Sequence, residues 1–159
     1  MTMDIDAMIT QMNAHAPPAI KTLGGSVTSY DDATHTMIMN FHASEALCHS
    51  GDIVQGGFVT GMIDATMSHA VFAAVREPII LPTLEIKVSF LEIARMGDLV
   101  ASGTVVRLGK TIAFLEGQLK DPQGKLLASA TSTARILRKK RDSGNRAPGE
   151  PQRDSRYQL

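Results

Sequence analysis

Asp64 is the only charged residue between positions 57 and 75, in a stretch reading GFVTGMIDATMSHAVFAAV. A helix apolar on nearly every side must be wrapped by the rest of the protein. A carboxylate inside that wrapping is costly unless it is paired, hydrogen-bonded or put to use. Its plain alternative is a helix carboxylate satisfied by neighbouring N–H or hydroxyl groups. Ser68 lies one turn further along the same face, where a hydroxyl can reach the carboxylate or a water beside it. Just upstream stands Gln55-Gly56-Gly57. A helix start there presents unpaired N–H groups and partial positive charge, and glycine admits a ligand carbonyl with no Cβ in the way. His15, His35, His42 and His69 show no paired ligand spacing, and neither an HExxH pattern nor a Cys/His cluster occurs, so no metal site is expected. His69, on the apolar helix, reads as a core or interface histidine.

Composition bounds the rest. The 159 residues suit one domain with a real core. Sixteen basic residues balance 16 acidic ones, so no whole-molecule charge favours nucleic acid. The single cysteine, Cys48, excludes an internal disulfide and fits a reducing compartment. The opening MTMDIDAMITQM has no basic region before an apolar run, and no stretch reads as the roughly 18 uncharged apolar residues of a membrane span. A soluble cytoplasmic protein, with no membrane partner, is expected.

Several elements must position Asp64. Ile5, Met8, Ile9 and Met12 have helical spacing over residues 4–14, stopped by Pro17-Pro18. Two short strands are predicted at about 23–30 and 35–43, then the central helix at about 57–75. Leu84, Ile86, Val88 and Phe90 alternate with polar residues in a strand pattern. Turn signals at 95–98, 108–110 and 121–124 separate segments 99–107, 110–120 and 125–137, which read as successive antiparallel strands. From Arg138 onward seven basic and three acidic residues accompany almost nothing apolar, and residues 138–159 are expected to be a disordered, solvated tail. The plan is α+β, a domain over 1–137 in which an antiparallel sheet wraps one apolar helix.

That plan, with Gln55-Gly56-Gly57 placed before Asp64, the segment Thr83–Leu91 (TLEIKVSFL) and the turn Ala94–Val100 (ARMGDLV), resembles the hotdog-fold acyl-CoA thioesterases. Gly109-Lys110-Thr111 and Asp121–Gly124 follow in the expected order, and the 4-hydroxybenzoyl-CoA and phenylacetyl-CoA branch is the most similar. The resemblance covers about residues 35–137. It implies hydrolysis of an acyl-CoA to a carboxylic acid and free coenzyme A. No cofactor is implied beyond the coenzyme A of the substrate itself.

The resemblance also implies roles. The Gly56 N–H would polarise the thioester carbonyl, with Gly57 keeping the approach open, and Asp64 would be the nucleophile or general base. Thr83 and Ser68 rank equally as the hydroxyl that assists Asp64. Relatives carry His before Gly-Gly and Asn or Gln six residues earlier. This chain has Gln55 and His49, so an imidazole and an amide have traded places, both able to donate hydrogen bonds. Arg95 and Lys110 occupy turns where relatives contact the phosphates of coenzyme A. Gly56 and Asp64 lie about 12 Å apart by helical rise. The resemblance implies that the site forms across a homodimer, with a dimer of dimers as the wider assembly. A non-catalytic acyl-CoA binding module and a hotdog enoyl-CoA hydratase or dehydratase are the alternative readings.

Overall fold

The computed structural model describes residues 4–138. Two helices come first, α1 (Ile5–Ala14) and α2 (Pro18–Thr22). Pro17-Pro18 does stop α1. Pro18 also opens α2 within that helix's first turn, where its missing N–H costs nothing, and this second helix was not expected from the sequence. Strands β1 (Gly25–Asp31) and β2 (Thr36–Ala43) form a hairpin. A short hairpin, β3 (Cys48–Ser50) with β4 (Ile53–Val54), then leads into the central helix α3 (Gly56–Val75). After β5 (Ile79–Ile80) come β6 (Thr83–Phe90), β7 (Gly97–Leu108), β8 (Ile112–Lys120), β9 (Leu126–Arg135) and β10 (Leu137–Arg138).

One six-stranded antiparallel sheet, in the order β1-β2-β7-β8-β9-β6, carries α3 on its inner face, mainly across β7 and β8. The period-two pattern sets that face. Leu99, Ala101 and Val105 of β7, Ala113, Leu115 and Leu119 of β8, and Ala128, Ala130 and Ala134 of β9 are all buried. They meet Val59, Met62, Ile63, Met67, Ala70 and Val71 of α3.

The helix comes unusually close to the sheet, because Gly103 of β7 pairs directly with Gly117 of β8 beneath it. A Cβ on Gly103 would stand 2.6 Å from the Met67 amide nitrogen, and one on Gly117 would stand 2.5 Å from Cγ2 of Ile63. The two glycines form a saddle in which the α3 backbone sits.

The sheet covers only one side of α3. Gly57, Gly61, Asp64, Ala65, Ser68 and Phe72 form a stripe that is exposed or only half-buried, so the expected full wrapping is not met within one chain. By length and composition α3 is also apolar enough to cross a membrane, although Asp64 and His69 interrupt it. Here half of it is buried as the core helix. Its C-terminal cap, Arg76, takes a left-handed conformation (φ +56°) and is held by an ion pair to Asp32 at 2.8 Å. Arg138, where the tail was expected to start, pairs with Ile79 and donates to Glu77 at 2.6 Å. The remainder of the expected tail, 139–159, lies outside the described residues.

Candidate active site

The entrance to α3 is built from Gln55 upward. Gln55 is the N-cap, and its Oε1 accepts from the Gly57 N–H at 2.9 Å, while its backbone carbonyl accepts from Phe58. A Cβ on Gly57 would stand 2.8 Å from that Oε1, so the amide cap and the glycine require each other. One orphan donor of the helix start is thereby satisfied. Among the described residues the Gly56 N–H has no acceptor. Gly56 lines a groove with Val54, Val59, Phe90, Leu91 and Ile93, and the Phe90 ring stands 3.2 Å from where a Gly56 Cβ would be. Phe90 is 56% exposed, and sequence reasoning had placed it only as a strand residue. Its packing over Gly56 depends on a register that the sequence does not display.

Asp64 lies two turns along the helix and is half-buried. Thr83, the first residue of the edge strand β6, donates its hydroxyl to Asp64 Oδ1 at 2.9 Å. That hydrogen bond fixes the rotamer of the carboxylate. Ser68 is half-buried on the next turn, and its side chain makes no hydrogen bond among the described residues. Of the two hydroxyls expected to assist Asp64, the structure joins Thr83 to it.

The remaining candidates are distributed. His49 is exposed in β3, and its Nδ1 is 2.8 Å from Ser50 Oγ. It shares no hydrogen bond with Gln55 or Asp64. Arg95 bonds Asp52 at 2.7 Å beside the start of α3, since its neighbour Ala94 accepts from the Val54 N–H. Lys110 is exposed in the β7–β8 turn, and its carbonyl accepts from Arg138, the partner of Glu77 just beyond the other end of α3. The two cations therefore sit toward opposite ends of a helix about 30 Å long.

With this geometry in view, the chain belongs to the thioesterase superfamily, whose family model matches residues 51–128. An esterase of Saccharolobus solfataricus, so named provisionally, is 34% identical over 96 residues, covering 60% of this chain and 68% of that protein. A provisionally named esterase of Halobacterium salinarum is 32% identical over 117 residues, 70% of this chain and 76% of its own. Among solved structures, a phenylacetic acid degradation-related protein of Ralstonia eutropha, described as a provisional thioesterase, matches 80% of this chain and 98% of its own. Its TM-score is 0.73 and its identity 27%. A thioesterase of Haemophilus influenzae shares the fold, with TM-score 0.73 at 16% identity over 87% of this chain and 93% of that one. The architecture is the hotdog fold, and the family supports thioester hydrolysis as the general activity.

Proposed function

We propose that the protein hydrolyses acyl-CoA thioesters, with Asp64 as nucleophile or general base and the Gly56 N–H of a second copy polarising the carbonyl. The observation that carries this reading is the Thr83–Asp64 hydrogen bond, which holds a half-buried carboxylate two turns from a helix-start N–H that has no acceptor among the described residues. The rise between them, about 12 Å, is too long for one carbonyl to meet both within one helix. A two-fold partner running the other way brings the two ends together. The open edge of β6 and the uncovered stripe of α3 are the surfaces available for that partner.

In the general-base form, a water held by Asp64 loses a proton to the carboxylate as its oxygen attacks the carbonyl. Negative charge gathers on the carbonyl oxygen at the Gly56 N–H, and the C–S bond breaks to release the coenzyme A thiolate. In the nucleophilic form, an Asp64 oxygen attacks the carbonyl, the C–S bond breaks to release the coenzyme A thiolate, and water hydrolyses the resulting anhydride to the acid and the free Asp64 carboxylate. Substrate and water are then sufficient, with Arg95 and Lys110 as the cations offered to the coenzyme phosphates. Gln55 serves chiefly as the cap that aims this helix start. A homodimer, assembled further into a dimer of dimers, is the proposed working form, in the cytoplasm.

Thiol release from acetyl-, octanoyl-, palmitoyl- and phenylacetyl-CoA tests the reading, with Asp64→Asn alongside. A loss of at least about a hundredfold in kcat is expected for the variant. A variant that stays active sinks the mechanism. Binding without turnover, unchanged in Asp64→Asn, would mark a binding module instead.

A further inference from the structure

A second concavity lies between α1 and the C-terminal half of α3, lined by Met8 and Met12 from one helix and His69, Phe72 and Arg76 from the other side. Its walls are largely apolar, and methionine suits an irregular apolar ligand. Gln11 and His15 bring exposed polar groups to its mouth, whereas His69 is the histidine buried in its wall. His69 is 8% exposed, and its Nδ1 donates to the Ala65 carbonyl at 2.7 Å. Nε2 is then the unprotonated nitrogen, an acceptor with no partner among the described residues. Among the described residues no fully buried side-chain nitrogen or oxygen lacks a partner, so Nε2 is open to the cleft.

The Phe72 ring stands edge-on to the imidazole, with centroids 5.9 Å apart and planes at 79°. The charged groups at the rim are committed elsewhere: Arg76 to Asp32 and Glu77 to Arg138. The cleft therefore suits a neutral, mostly apolar group that ends in a hydrogen-bond donor. Asp64, Ser68 and Phe72 succeed one another at four-residue spacing on the uncovered stripe of α3, and Phe72 belongs both to that stripe and to the wall of the cleft. From Asp64 to Phe72 the rise is about 12 Å.

We propose that this cleft receives the far end of the acyl group, and that the preferred acyl groups are of medium length and end in a hydroxyl that donates to His69 Nε2. The proposal rests on the hydrolase reading above and adds the class of acyl group. A methyl in place of that hydroxyl leaves Nε2 against carbon with no donor, which is where discrimination arises.

The test compares kcat/KM for butyryl-, octanoyl- and ω-hydroxyoctanoyl-CoA in the full-length protein, His69→Phe and Met12→Trp. The hydroxylated substrate is expected to exceed octanoyl-CoA by about tenfold in the native protein. His69→Phe removes that ratio. Met12→Trp, a change on the half-buried side of α1, fills the cleft and lowers both eight-carbon substrates at least about tenfold relative to butyryl-CoA. Equal rates for octanoyl- and ω-hydroxyoctanoyl-CoA, or equal losses on all three substrates in Met12→Trp, overturn the proposal. Absence of thiol release from every substrate is a failure of the hydrolase reading instead. Calorimetry with the uncleavable octyl and ω-hydroxyoctyl thioethers of coenzyme A then decides the cleft, and equal affinities overturn it.

Discussion

Thr83 and Ser68 illustrate what a single hydroxyl can decide. Ser68 is a helical neighbour of Asp64 that any reader of the sequence finds, whereas Thr83 arrives from 19 residues away at the start of an edge strand. Only the second makes the bond. Thr83→Val is expected to lower kcat about tenfold, the worth of a hydrogen bond to a charged group. Ser68→Ala should stay within about threefold of the native rate. The reverse order of effects would transfer the role to Ser68. At the helix start, Gly56→Pro removes one N–H at a position where helices accept proline, and Gln55, at φ −65° and ψ 136°, already has the backbone that precedes one. Phe90 need give way by only a few tenths of an ångström. The variant should keep a native circular dichroism spectrum and lose at least about a hundredfold in kcat, as removal of an oxyanion donor does.

The docking of α3 on the sheet turns on one glycine pair. Gly103→Ala drives a Cβ into the Met67 backbone, which cannot move without shifting the helix, whereas Gly117→Ala meets the movable side chains of Ile63 and Met67. Overpacking costs about 1–3 kcal/mol, so urea unfolding should place Gly103→Ala at or beyond the upper end and Gly117→Ala below it. Comparable losses would mean that the saddle is not rigid. This pair shows where the sequence runs silent: two glycines in period-two strands read as ordinary interruptions until register sets them opposite each other. Elements with strong periodicity or turn signals, such as α1, α3 and the β7–β9 meander, were legible within a few residues. Asp64 was legible because an acid in an apolar helix is an energetic anomaly, and the helix boundary was legible from its glycines. Thr83 was legible only through the family resemblance, level with Ser68, and Phe90 and the His69 cleft were not legible, since each depends on which distant segments meet. Helix packing also has a pH consequence. Burial pushes the His69 imidazole below its ordinary range, against a smaller upward effect of its bond to the Ala65 carbonyl. The unfolded chain then takes up that proton first, so stability is full above about pH 6.5 and falls as pH drops through the lower folded value. His15, Arg76 and Glu77 on the same cleft are exposed or ion-paired. The loss of Tm between pH 7 and 5 should be smaller in His69→Phe than in the native protein, and an equal loss would remove His69 from the account.

For the whole molecule, the unfinished surfaces and the unfinished chemistry coincide. The sheet ends at β6, the strand that carries Thr83, and its exposed Leu84 and Phe90 flank an unpaired edge. The stripe of α3 left uncovered is the one that carries Asp64. Arg95 and Lys110 lie toward opposite ends of that helix, as a two-fold partner would require if each site drew one cation from each copy. These facts argue for a shared site by complementarity of what one chain lacks, and complementation is the direct measurement. Asp64→Asn and Gly56→Pro should each be inactive alone. When the two are refolded together, random pairing makes half of the dimers mixed, and each mixed dimer holds one site with both defects and one with neither. Activity should return to about a quarter of the native level under a two-fold arrangement. If each chain instead carried a complete site, the mixture would stay as inactive as its components, and the partner would be needed for stability alone.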